Sequence, residues 1–232
     1  MKDVYNDGTY LVDNPDWHVA DSGWKADQIL RILQRNAVTA ASVCEVGCGA
    51  GEVLKQLADR IGSRAKFTGY EVSEQAFKLC ASRERDNLRY FCKDLLRDEE
   101  SAFFDLILAI DVFEHVSDYL GFLERLRAKG RYKVFHIPLD LSVQALLRAR
   151  PLMQKRRLLG HLHYFSQATA LATLEDAGYK ILDQIYTPSA FLTKKSGLWG
   201  CVLQLVRRSL FCLHKDLTVR ILGGYSLMVL AE

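Results

Sequence analysis

The 232-residue chain has no CxxC pair: Cys44, Cys48, Cys80, Cys92, Cys201 and Cys212 stand apart from one another. That scatter excludes a disulfide framework and denies the four-residue step from Cys44 to Cys48 a second ligand pair for zinc. We expect reduced thiols, most of them small core residues, in a cytoplasmic protein. The acidic, polar N-terminus predicts no signal peptide. The most apolar stretch, Leu198 to Leu213, is broken by Gln204, Arg207 and Arg208 and is too short and too charged to span a bilayer. Internal repeats and low-complexity tracts are also missing. What remains is ordinary globular composition, with 49% hydrophobic residues. This is enough apolar material to bury a core, which excludes a disordered or fibrous chain.

Charge of one sign is scarce overall, at a formal +3, but the sum hides a division. Residues 1–128 hold 16 Lys/Arg against 22 Asp/Glu, whereas residues 129–232 hold 15 against 6. Such a split suggests two halves that meet different partners.

From Ala41 onward the pattern alternates between strands and helices. Val43 to Val46, Lys66 to Val72, Leu88 to Cys92, Phe104 to Ile110, Arg131 to Ile137, Tyr179 to Tyr186 and Ser226 to Ala231 read as strands. Helices follow the first strand with Val53, Leu54, Leu57 and Ile61 on one face, and the second with Ser73 as cap. Ser117 is expected to cap a helix carrying Leu120, Leu123 and Leu126, and Ser166 one that stops at Gly178. Alternation of this kind predicts an α/β fold, a mostly parallel sheet with helices on both faces. Two long connections, 139–163 and 187–224, show helical periodicity of their own.

The chemistry centres on Glu45-x-Gly47-x-Gly49-x-Gly51, where the first strand ends. Glycines let the backbone turn sharply and approach a ligand, with the next helix offering free N–H groups. Glu52-Val53 after Gly51 excludes a Walker A loop, and the third glycine falls one place early for a dinucleotide fingerprint. Glu71, Asp94, Asp111 and Glu114 follow at the ends of successive strands. Four carboxylates there suit a ligand that is neutral or cationic at its core and would repel a pyrophosphate.

Together these segments resemble the class I S-adenosylmethionine-dependent methyltransferases. The resemblance rests on Cys44 to Gly51, Gly69 to Ser73, Phe91 to Leu95 and Phe104 to Val116, and its small-molecule and quinone-biosynthesis branch is similar through His161 to Tyr179. It implies a Rossmann-like seven-stranded sheet with an antiparallel last strand. It also implies a single methyltransferase domain over 1–232, with an N-terminal cap 1–40 and the insertions 139–163 and 187–224. Gly47, Cys48, Gly49 and Gly51 would line the methionine and ribose portion of S-adenosylmethionine, with Glu45 orienting the loop. Glu71 would hold the ribose, Asp94 the adenine amine, and Val72, Leu95, Ile110 and Asp111 the adjoining wall. Trp17, His18, Trp24 and Lys25 would fold over the cofactor, with Lys25 beside its carboxylate.

Methyl transfer from a sulfonium needs a base only where the acceptor must lose a proton. His115 and His136 stand at strand ends as candidate bases, and His161, His163 and Tyr164 as candidate substrate contacts. No third ligand accompanies His161 and His163, so no metal is expected. Asp111-Val112-Phe113-Glu114 departs from the Asn/Asp-Pro-Pro-aromatic tetrad of nucleic-acid amino methyltransferases, and nucleic acid is not an expected partner. The two insertions hold 11 Lys/Arg against 2 Asp/Glu, the whole basic excess of the second half. They would bound a phenolic, lipophilic or anionic small-molecule acceptor, touch an anionic membrane peripherally, or form a homodimer. A nucleotide-dependent oxidoreductase and a non-catalytic cofactor-binding protein are the alternative readings.

Overall fold

The computed structural model describes residues 17, 19–97, 102–188 and 198–232, with side chains in the 198–213 helix from Gln204 onward. Seven strands form one sheet: β1 (Ser42–Val46), β2 (Lys66–Tyr70), β3 (Leu88–Phe91), β4 (Phe104–Ile110), β5 (Gly130–Pro138), β6 (Ile181–Thr187) and β7 (Ser226–Ala231). Their order is β3-β2-β1-β4-β5-β7-β6. β1 to β5 pair in parallel, and β7 runs antiparallel to both β5 and β6. This is the Rossmann-like arrangement expected for the fold.

The pleat of β4 sends alternate residues into two cores. Ile107 and Ala109 join Phe122, Leu123 and Leu126 of α4 (Tyr119–Arg127) and Ala170 and Leu174 of α7 (Gln167–Asp176). Leu106, Leu108 and Ile110 meet Ala26, Ile29 and Ile32 of α1 (Ser22–Arg35) and Leu54 and Leu57 of α2 (Glu52–Ile61). A sheet buried on both faces calls for such unbroken apolar strands. α3 (Glu74–Cys80) follows Ser73, whose hydroxyl accepts the Ala76 N–H as expected. The cap of α4 differs: Asp118, not Ser117, accepts the Gly121 N–H. Both residue types cap well, and the shift by one turns Leu120 outward while Phe122 takes the core position. In α2, Ala58 is buried where Ile61 was expected and Ile61 only borders the core.

Both long connections are helical. α5 (Val143–Arg148) and α6 (Arg150–Leu158) occupy the first, α8 (Leu198–Leu213) and α9 (Lys215–Leu222) the second. Cys44, Cys48 and Cys80 are buried free thiols, whereas Cys92 and Cys212 are exposed. No helix among the described residues is long and apolar enough to cross a membrane.

Candidate active site

The carboxyl ends of β1, β4 and β5 open onto a cavity of about 570 Å³. Gly47, Cys48, Gly49 and Ala50 form one wall and Trp17, Trp24 and Lys25 a second; Asp140, Leu152 and His161 come from the segment after β5. His18 lies outside the described residues.

The loop after β1 is held open by backbone geometry. Gly47, Gly49 and Gly51 all have positive φ, at 66°, 54° and 77°. A Cβ on Gly49 would lie 2.7 Å from the Trp17 ring, and one on Gly51 2.6 Å from the Tyr90 ring. Only glycine meets both demands. Gly47 and Cys48 donate to the Tyr70 carbonyl at 2.8 and 3.1 Å, tying the loop to β2. Glu71 completes the anchor: one carboxylate oxygen accepts the Gly49 N–H and the other the Ser73 N–H, each at 2.8 Å. Burial raises the Glu71 pKa against the pull of those bonds.

Glu45 lies beneath the loop, 2% exposed, and its Oε2 has no hydrogen-bond partner among the described residues. Burial is the main cause that pushes its pKa up to about 8. Ile110 and Asp111 line the cavity, whereas Glu71, Val72, Asp94 and Leu95 lie outside its walls. Asp94 accepts the Leu96 N–H at 2.9 Å and faces Arg97 at 3.4 Å. Leu95 is fully buried, and Val72 is exposed.

Three histidines have different surroundings. Asp111, a non-glycine residue at φ 55°, receives the Lys25 ammonium at 3.0 Å and His136 Nδ1 at 2.7 Å. Asp21 lies 3.1 Å from the same ammonium. Burial works against charge on Lys25, but Asp111 and Asp21 outweigh it and raise its pKa. Burial also opposes charge on Asp111, yet His136 and Lys25 hold that carboxyl below its usual range. His136 Nε2 meets the Thr187 hydroxyl at 2.9 Å, so both of its ring nitrogens are engaged. His161 is bonded through Nδ1 to Asp140 at 2.7 Å, and Asp140 also pairs with Lys155. His115 packs edge-on against His161, with ring centroids 4.9 Å apart, and burial pushes its pKa down to about 4.

Asp140 is the residue missed in the sequence; no motif marks it, and only the folding of α5 and α6 brings it to His161. His163 and Tyr164 are directed elsewhere: His163 donates to the Val116 carbonyl at 3.0 Å, and the Tyr164 hydroxyl reaches Leu152 O at 3.4 Å. Glu114, His115 and His161 place potential ligand atoms within 4.8 Å of one another, a grouping able to hold a metal ion that the His161/His163 spacing did not show.

The methyltransferase domain family matches residues 19–184, well over half of the chain. The chain belongs to the class I S-adenosylmethionine-dependent methyltransferases. The methyltransferase is 32% identical over 110 residues to a ubiquinone biosynthesis O-methyltransferase of Bradyrhizobium sp. (strain ORS 278), covering 44% of this chain and 42% of that protein. The corresponding enzyme of Idiomarina loihiensis is 32% identical over 112 residues, covering 45% of each. The matched region is thus less than half the length of these curated relatives. Among solved structures, magnesium protoporphyrin IX methyltransferase from Synechocystis PCC 6803 with bound SAH superposes with a TM-score of 0.61 at 16% identity, over 94% of this chain and 85% of that one. A Haloferax volcanii methyltransferase, solved with its Trm112 activator, gives 0.65 at 16% identity over 100% and 98%. At that identity the likeness is one of fold. The family assignment sets aside the oxidoreductase alternative. The glycine cradle, with Gly47 and Gly49 lining the cavity at positive φ, fits a methyltransferase cofactor.

Proposed function

We propose that this methyltransferase methylates a hydroxyl on a small, largely apolar acceptor held between the glycine loop and the segment 139–163. The supporting observation is that one cavity is lined both by Gly47 to Ala50 and by the Asp140–His161 pair, with Leu139, Pro151, Leu152 and Leu159 alongside. S-adenosylmethionine supplies a methyl group already activated on a sulfonium. Every other requirement falls to the chain: hold both molecules in line, exclude water, and accept the hydroxyl proton.

Gly47, Gly49 and Gly51 would present backbone to the cofactor, and Glu71 and Asp94, beyond the cavity walls after β2 and β3, would take the ribose hydroxyls and the adenine amine. Cys48, Ile110 and Asp111 of the cavity wall, with Val72 and Leu95 beyond it, would shape the surround. His161 is the base. Asp140 takes its Nδ1–H, which fixes the ring and leaves Nε2 for the acceptor proton. Burial opposes charge on Asp140, but His161 and Lys155 keep it ionised below its usual range. A pKa near 4 makes His115 a poor base, and His136 has no free nitrogen, so both serve as positioning residues.

The test is methyl transfer from radiolabelled S-adenosylmethionine to a panel of hydroxylated apolar compounds. His161→Ala should lower kcat by roughly 10²–10⁴-fold while leaving S-adenosylhomocysteine binding unchanged. Unaltered turnover would remove His161 from the base role. Binding of S-adenosylhomocysteine with no transfer to any hydroxyl would favour the non-catalytic alternative.

The outer faces of α5 and α6 support peripheral contact with an anionic lipid surface. Leu146 and Leu147 are 58% and 83% exposed, and Arg150, Arg156 and Arg157 are exposed as well. Co-sedimentation should favour anionic over neutral vesicles, and equal recovery with both would refute it.

A further inference from the structure

The basic residues of the two insertions are not equivalent. Most lie in solvent, but Arg207 of α8 is only 5% exposed and lines the cavity beside Leu222, Gly223 and Gly224. A guanidinium carries five N–H hydrogens. Nη2 donates to Gln144 Oε1 at 3.2 Å and to the Leu222 carbonyl at 2.9 Å. Nε and Nη1, with the remaining three hydrogens, have no hydrogen-bond partner among the described residues, and no described carboxylate pairs with Arg207. A buried cation without a counter-ion is unfavourable, and this one, on a side chain that borders the cavity, is fixed by Gln144 of α5 and Leu222 of α9. The cavity is lined by apolar side chains, among them Leu139, Pro151, Leu152 and Leu222, and by polar and charged ones that include Gln144, Arg148 and Lys155.

We propose that Arg207 receives an ionised acid group, carboxylate or phosphate, on the acceptor, so that the substrate class is an apolar hydroxy acid. The inference rests on the reading of this cavity as the acceptor site. Guanidinium–oxyanion hydrogen bonds are the strong, charge-assisted kind, and the burial of Arg207 would strengthen them. Gln144 and the Leu222 carbonyl act as positioning groups that set the guanidinium plane.

The probes are fluorescent hydroxynaphthoate, hydroxynaphthyl phosphate and the uncharged methyl ester of the first, titrated into the full chain with and without S-adenosylhomocysteine. At least one acid should bind roughly tenfold or more tightly than the ester. Which acid does so separates carboxylate from phosphate. Arg207→Met should abolish that preference, and Arg207→Lys should keep part of it. S-adenosylhomocysteine affinity should be the same in all three proteins. Thermal melting should show each variant to be folded, and the preferred acid should raise the melting point most in the wild type, less in Arg207→Lys and least in Arg207→Met. Equal binding of acids and ester, binding of no probe, or a preference that survives in Arg207→Met overturns the proposal. An equal loss of S-adenosylhomocysteine affinity in Arg207→Met also overturns it, by assigning the arginine to the cofactor. Failure of S-adenosylhomocysteine to bind the wild type counts instead against the methyltransferase reading, because the acid preference is measured independently of it.

Discussion

Replacing Glu71 by alanine tests whether one carboxylate both shapes the glycine loop and serves the cofactor. In the folded protein its two oxygens satisfy two N–H groups, Gly49 and Ser73, at 2.8 Å each, and the side chain is 7% exposed. Each buried donor left without an acceptor costs about 1–3 kcal/mol. Some of that is recovered where solvent enters the space vacated, so the expected loss is roughly 2–4 kcal/mol. For a chain of this size that corresponds to a fall in Tm of about 6–12 °C. Glu71→Gln keeps one oxygen and turns an amide –NH2 toward the other donor, so about half the loss is expected. Chemical denaturation with an unchanged m-value and calorimetry with S-adenosylhomocysteine report the two roles separately. Affinity should also fall, by roughly 1–3 kcal/mol for the hydrogen bonds lost to the ribose. Wild-type melting in Glu71→Ala would refute the anchoring role, and unchanged affinity would refute the ribose assignment.

Glu45 should make stability depend on pH. Its folded pKa is about 8 against an ordinary 4.5, so between these values the folded state binds the extra proton and stability falls as pH rises. The isosteric Glu45→Gln should flatten this dependence by up to about 1.4 kcal/mol per pH unit, and parallel profiles for the two proteins would contradict the shift. Gly51→Ala combines a left-handed backbone position with a contact against the half-rigid Tyr90 ring, and should cost about 2–4 kcal/mol. Tyr90→Ala in the same chain should make the added cost of Gly51→Ala smaller, and additive losses would show that the ring is not the obstacle.

Strands β4 and β7 were legible in the sequence to the residue because each is an unbroken apolar run that its buried position demands. The glycine loop was legible because positive φ at successive turn positions selects glycine strongly. Cap position at α4 was not, since Ser117 and Asp118 are adjacent and chemically interchangeable in that role. The Asp140–His161 pair is invisible for another reason: its members lie 21 residues apart and meet through two short helices without a spacing rule. Arg207 reads in the sequence as one more charge in a basic stretch. Its burial depends on α9 folding back against α5, a tertiary event that local periodicity does not encode. His136 illustrates the opposite limit, since its place at a strand end was evident but the engagement of both nitrogens by Asp111 and Thr187 was not.

The place of β7 in the sheet has a consequence for biogenesis. It is the last strand in chain order, yet it lies between β5 and β6. During synthesis β6 emerges with no sheet partner, and the outer edge of β5 stays open until some forty residues later, when β7 is inserted. The β3-to-β5 half can assemble on the ribosome, while the half that carries Thr187 and leads into α8 must wait. An unpaired apolar edge in a nascent chain invites aggregation. Chaperone demand should therefore concentrate in that interval, and premature stops within β7 should yield insoluble protein rather than a weakened enzyme.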